Sequence, residues 1–265
     1  MSCSSAEAVP LGPAVRNRTR TAANGRPFRD LENLGWTDPT LREVRDYNIA
    51  VAAESAQAGF DEIQLDYLCF PDAPRGIAFA KPTTETSRLE AIAGFLAEAR
   101  HRLAPCNVYL AADIFGYVCW NLNDTGIGQR LEDIMPLVDY VAPMLYPSGF
   151  QFGIPGYKNP VSHPYEIVHR SLDRARERLG ISSKRFRPWL QAFKDYAFDR
   201  RVFDADEVAA QIRAAKDFGS DGWMLWNARN SYEGIGLAEA GHAPVEEDSW
   251  QDPSDNSSSE ASACF

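Results

Sequence analysis

Two aspartates carry the chemistry that this sequence offers. In the run Glu62-Ile63-Gln64-Leu65-Asp66 polar and apolar residues alternate, which puts Glu62, Gln64 and Asp66 on one face of a β-strand and Ile63, Leu65 and Tyr67 on the other. A second strand-like segment, 108–115, carries Asp113 near its C-terminal end. Paired carboxylates on neighbouring strands suit cleavage of a glycosidic bond. One serves as nucleophile or base and the other as general acid, with burial and mutual repulsion pushing their pKa values apart. The expected division is Asp66 as nucleophile and Asp113 as acid/base. The competing account is that each aspartate caps a βα loop or fixes an arginine. Glu62, deeper on the Asp66 face, reads as a core polar residue paired to a buried base.

Other residues near strand ends extend this reading. Tyr146, Trp226 and Trp120 offer stacking faces to a sugar ring, and Gln191 and Asn227 offer amides to its hydroxyls. Each aromatic alone is more often core than platform; their collection at one rim is what points to binding. The histidines His101, His163, His169 and His242 fall on helices or loops, and neither a G-x-S-x-G elbow nor an H-E-x-x-H pair is present. A nucleophilic triad and a zinc site are therefore not expected. No cofactor is expected either, because the glycine-rich phosphate loops of nucleotide folds are missing.

These residues need a scaffold that brings strand ends together. Asp38-Pro39 signals a helix start, with Asp38 as N-cap and Pro39 at the first helical position, and that helix should run to about residue 58. The Asp66 strand follows. A helix from 83–87 to about 103, the 108–115 strand, a helix over 128–137 and a strand over 140–146 come next. A long loop over 147–163 leads to a helix over 165–179, a strand over 186–193, a helix over 205–218 and a strand over 222–227. Pro143 objects mildly to its strand, since proline cannot donate to a ladder, and a bulge would accommodate it. Strict βα alternation implies a parallel α/β sheet. Every strand ends in a functional-looking residue, which favours a barrel with its chemistry at the C-terminal rim. A closed barrel takes roughly eight strands, and five can be read here.

Composition narrows the partners. A 45% hydrophobic and 24% charged chain is that of an ordinary globular domain. A formal net charge of -10 argues against nucleic acid and anionic membrane surfaces and leaves a neutral ligand open; it is the carboxylate pair that makes a carbohydrate the expected substrate. No apolar run reaches the length of a membrane span, and the N-terminus lacks a secretory core, so a cytoplasmic location is the default expectation. The five cysteines, Cys3, Cys69, Cys106, Cys119 and Cys264, are odd in number and unclustered, so reduced thiols are expected. Residues 1–27, rich in Ser, Ala and Arg, read as a disordered or spurious leader. They loosely suggest a transit peptide without its amphipathic period. Residues 28–243 read as the barrel portion and 244–265 as a disordered acidic, Ser-rich tail.

Six runs in order, G-F-D-E-I-Q-L-D-Y (59–67), A-D-I-F-G-Y (112–117), D-T-G-I-G-Q (124–129), D-Y-V-A-P-M-L-Y-P-S-G-F (139–150), R-P-W-L-Q-A-F (187–193) and D-G-W-M-L-W-N (221–227), closely resemble the putative glycosyl hydrolase domain family. The resemblance covers about 28–237. It implies a (β/α)8 TIM barrel with Asp66 closing the fourth strand and Asp113 on the fifth, so that the chain would hold strands four to eight and lack strands one to three. The family's usual D-Y-V-R-F-P departs here at Cys69, which stands where an arginine is usual. A five-strand sheet leaves raw edges, and self-association through them is expected. The alternative to a hydrolase is a non-catalytic carbohydrate-binding or scaffold remnant. A chitinase-type D-x-x-D-x-D-x-E run is only partly echoed by Asp61, Gln64 and Asp66, with Leu68 in place of the glutamate.

Overall fold

The computed structural model describes residues 21–22, 28–29, 35–71 and 77–236. Helix α1 (Arg42–Gln57) leads into strand β2 (Glu62–Leu65), and the short β1 (Thr21–Ala22) and β3 (Ile77–Ala78) pair antiparallel as a separate two-stranded sheet. Then come α2 (Glu85–Leu103), β4 (Tyr109–Phe115), α3 (Leu131–Ile134), β5 (Tyr140–Met144), α4 (Pro164–Leu179), β6 (Trp189–Gln191), α5 (Ala205–Phe218) and β7 (Met224–Trp226). The large sheet has the order β2-β4-β5-β6-β7, parallel at every junction. That is the alternating parallel sheet expected from the sequence, arranged as part of a TIM barrel. The leader beyond Thr21–Ala22 and the tail lie outside the described residues.

Local chemistry sets most boundaries. Thr84 and Ser87 form a reciprocal capping box at the start of α2. Asp204 caps α5, and Gly180 and Gly219 end α4 and α5 in the left-handed conformation. Asp38 is a correction. Instead of capping α1 it is buried and ties Thr40 and the backbone N–H of Ala80, while α1 begins after Leu41 without a side-chain cap. The helix expected over 128–137 shrinks to the four residues of α3 and a 3-10 turn at Met135–Leu137, because Pro136 breaks the ladder there.

Pro143 also behaves differently from expectation. The β4–β5 register runs unbroken from Ala111↔Tyr140 to Phe115↔Met144, so no bulge is needed. The cost falls on the other side, where β5 meets β6 only at Met144↔Trp189 and at the isolated bridge Val141↔Phe186. Two prolines, Pro143 and Pro188, occupy the gap between those contacts.

The helix-facing side of the sheet supplies the core. Leu110, Ala112 and Ile114 of β4 join Ile92 and Leu96 of α2, Val141 of β5, Leu190 of β6 and Leu172 of α4 in one buried cluster. The opposite side faces a hollow. In a flat sheet, strands three positions apart lie about 14 Å from one another, yet Arg187 just before β6 donates to both oxygens of Glu62 on β2 at 3.0 and 2.9 Å. The sheet therefore curls around a lumen, and Glu62 finds the basic partner expected for it. Arg187 also lies over the Tyr140 ring at 4.3 Å.

Candidate active site

By register, Gln64, Asp113, Ala142, Trp189 and Trp226 all present to the lumen, and Asp66 continues the Gln64 face just past β2. Gln64 Nε2 donates to Asp113 Oδ1 at 2.7 Å, and Trp189 Nε1 donates to Asp113 Oδ2 at 3.1 Å. Trp189 reaches across β5 because the residue beside Asp113 on that strand is Ala142, too short to intervene. Asp113 is 2% exposed. Asp66 is exposed at the rim and accepts the backbone N–H of Tyr67 at 2.7 Å.

The two carboxyls stand side by side at the ends of β2 and β4, near enough for each to act on the other's charge. Burial, and then the charge of Asp66, push Asp113 up to about 9 against the pull of Trp189 and Gln64. The Asp66 carboxyl is raised as well, chiefly by the protein mass around it, against the pull of the Tyr67 N–H. Its residue surface is open to the lumen, so water screens that rise, and Asp113 is the carboxyl that burial holds most strongly in its acid form.

Tyr146 stands beside this pair. Burial raises its hydroxyl well above the usual phenol range, and the charges of Asp113 and Asp66 are the next contributors. Its ring meets Phe193 edge-on at 5.3 Å. Trp226, 36% exposed, packs edge-on against Trp189 at 6.0 Å and so borders the site.

The remaining anticipated residues serve the loops. Gln191 is fully buried: its Oε1 accepts from Ser148 N, and its Nε2 donates to Ser148 Oγ and Phe193 O. Ser148 Oγ in turn donates to Asp195, which also collects three backbone N–H groups and is held down at about 2. Asn227 Nδ2 donates to the carbonyls of Ala192 and Ser231. Trp120 points away from the lumen and donates to Ser171 on α4 at 2.8 Å.

Three residues outside the anticipated set hold the aspartates. Gln64 and Trp189 contact Asp113 directly, and both could have been found from parity: Gln64 alternates with Asp66, and Trp189 with Gln191. Gln129 works on the backbone. Its Oε1 accepts Phe115 N–H at 2.8 Å, and its Nε2 donates to Leu68 O and Asp113 O, so one buried amide ties the ends of β2 and β4 together. The preceding turn explains the rest of its motif. Asp124 accepts from Gly126, Gly128 and Arg88, and a Cβ at Gly128, which has φ +82°, would press on Ile92 and Phe70 at 3.0 Å.

A cavity of about 670 Å³ opens at the opposite, N-terminal mouth of the strands, lined by Glu62, Tyr109, Tyr140, Arg185 and Arg187 among others. Its arginines are spent on structure: Arg185 on the carbonyls of Asp139, Met135 and Val138, and Arg187 on Glu62. The Asp66–Asp113 pair lies at the other end of the strands. Among the described residues no cluster of His, Cys, Asp and Glu could hold a metal, and no helix is long and apolar enough to cross a membrane.

Comparison with solved structures places the fold among glycoside hydrolases. The chain is similar to the PgaB (BpsB) glycoside hydrolase domain from Bordetella bronchiseptica, with a TM-score of 0.58 and 15% identity over 82% of this chain and 67% of that one. A class V chitinase from Pseudomonas fluorescens gives a TM-score of 0.51 and 16% identity, covering 77% and 76%. A chitinase from Chromobacterium violaceum gives 0.51 and 13%, covering 74% and 70%. No curated protein matches the sequence. The model of one family, described as "Putative glycosyl hydrolase domain", matches residues 11–232, reaching back into the segment read as leader. Six sequence motifs, a parallel half-barrel and a match over most of its length agree: the chain belongs to the putative glycosyl hydrolase domain family.

Proposed function

We propose that this chain is a glycoside hydrolase that cleaves O-glycosidic bonds of an oligo- or polysaccharide with the Asp66–Asp113 pair. The observation that carries the reading is the placing of two carboxyls at the C-terminal ends of adjacent lumen strands, one exposed at the rim and the other buried and held by Gln64 and Trp189. The five strands are assigned as the fourth to eighth of an eight-strand barrel, within a domain spanning 28–243. Asp113 is buried, with its acid form favoured by burial, whereas Asp66 stands at the open rim, so we divide the roles differently from the sequence expectation. Asp66, at the open rim, meets the glycosidic oxygen and delivers the proton that Asp113 stores. The pair, then fully ionised, faces the oxocarbenium-like centre and takes a proton back from the incoming water. Tyr146 and Trp226 border the bound ring.

A screen of aryl glycosides and neutral oligosaccharides tests this. Asp66→Asn should lower turnover by about 10²–10⁴, the usual worth of a positioned acid/base group. Turnover equal to wild type would remove Asp66 from the reaction, whereas glycan binding without any turnover in the wild type would favour a carbohydrate-binding remnant.

A further inference from the structure

The rim holds a second feature that the carboxylates do not use. Phe115 lies two residues past Asp113 on the same lumen face of β4 and is 38% exposed. Its ring is 5.9 Å from Tyr117, and Tyr117 is 6.3 Å from Phe152, which is 92% exposed. A fully exposed phenylalanine forgoes about 1.5–3 kcal/mol of burial. Flexibility of the chain does not account for it, because the backbone around Phe152 is fixed on both sides. Phe152 N donates to Tyr117 Oη at 2.9 Å, Tyr117 Oη donates to Gly153 O at 3.2 Å, and Gly153 N donates to Phe150 O at 2.8 Å. Phe150 is buried against Tyr117, ring centroids 4.9 Å apart. Gly153 has φ +70°, and a Cβ there would lie 2.4 Å from the Tyr157 carbonyl, so the turn admits only glycine.

Taking the glycosidase reading as its basis, we propose that Phe115, Tyr117 and Phe152 form a track on which an extended neutral glycan stacks, so that the substrate is a polysaccharide gripped over several rings. Three observations select this occupant. The row begins at the catalytic strand and leads outward from it. Its rings follow one another at 5.9 and 6.3 Å, tilted by 54° and 42°, and so form a stepped apolar surface of the kind on which the C–H faces of sugar rings stack while their hydroxyls stay in water. The chain's formal charge of -10 disfavours both acidic polysaccharides and acidic lipid surfaces.

Calorimetric titration of the Asp66→Asn chain with the dimer and hexamer of neutral chito-, cello- and manno-oligosaccharides tests the track. For the series that binds, the hexamer should bind at least tenfold tighter than the dimer. Adding Phe152→Ala should cut that ratio by about five- to tenfold, the worth of one lost stacking contact, and Phe152→Trp should restore it. Phe152 is exposed, so circular dichroism should show both variants folded. A ratio unmoved by Phe152→Ala, with Asp66-dependent cleavage intact in the parent chain, overturns the track and leaves the glycosidase reading standing. Absence of both binding and cleavage across all three series overturns both. Phe152-dependent pelleting with neutral phosphatidylcholine vesicles, without glycan binding, assigns the ring to a membrane contact and overturns the track.

Discussion

Asp113 keeps a proton that an ordinary aspartate surrenders near pH 4, and this has a cost in stability that can be measured. Its folded pKa is raised from 3.8 to about 9. Between those values the folded chain binds more protons than the unfolded one, so stability falls as pH rises through that window and levels off above it. Asp113→Asn keeps the hydrogen-bonding shape without the ionisation. Thermal melts should therefore show wild type losing several degrees between about pH 5 and pH 9, and the Asn variant losing clearly less. Parallel melting curves would mean that the proton is not held there. The two aspartates were legible because alternation and strand ends are local properties of sequence. The lumen-facing side of Trp189 can be read from its parity with Gln191, but its bond to Asp113 cannot, since that bond crosses a strand and depends on Ala142 being small. Gln191 and Asn227 have the right chemistry at the right height, but Gln191 bonds Ser148 and the Phe193 carbonyl and Asn227 the carbonyls of Ala192 and Ser231, loop partners that no local pattern reveals.

At the scale of elements, the aspartates are held by a loop and by an ion pair. Gly128 and Gln129 were expected to open a helix; instead Asp124 gathers the N–H groups of Gly126 and Gly128, and Gln129 turns inward to bind β2 and β4. Replacing Gln129 with leucine leaves Phe115 N–H and two carbonyls without partners. This should cost about 1–3 kcal/mol, read in urea melts, and should lower turnover further than stability alone accounts for, because Asp66 and Asp113 lose their relative position. Normal turnover at reduced stability would show that the tie is only structural. Arg187 works at the other mouth, holding the curl through Glu62. With both side chains about a quarter exposed, Arg187→Ala should destabilise by about 1–3 kcal/mol, and Glu62→Gln, which retains one acceptor, by less. The long helices and the strand order were legible from the alternation of strand-like and helix-like runs along the chain. The thinning of the sheet at Pro143 and Pro188 was not, because it depends on which neighbour each proline faces.

For the molecule as a whole, a curled sheet of five strands has two edges, and among the described residues β2 pairs only with β4 and β7 only with β6. Parallel edges of this kind recruit partners. The β2 side adds apolar surface: Tyr47 and Val51, one turn apart on α1, are 47% and 40% exposed, and Phe60, just ahead of β2, is 56% exposed. In a complete barrel that flank would lie under the next βα unit. The same exposure should drive self-association, so sedimentation velocity should show the mean sedimentation coefficient rising with concentration across the micromolar range. Tyr47→Glu with Val51→Glu should suppress that rise, because both side chains are exposed in the single chain and charge there opposes only the contact between copies. A monomer at all concentrations would sink the idea. A rise untouched by the double substitution would move the contact to the β7 side, where Trp226 borders the lumen. In that case association would alter substrate access, and activity per chain would vary with concentration.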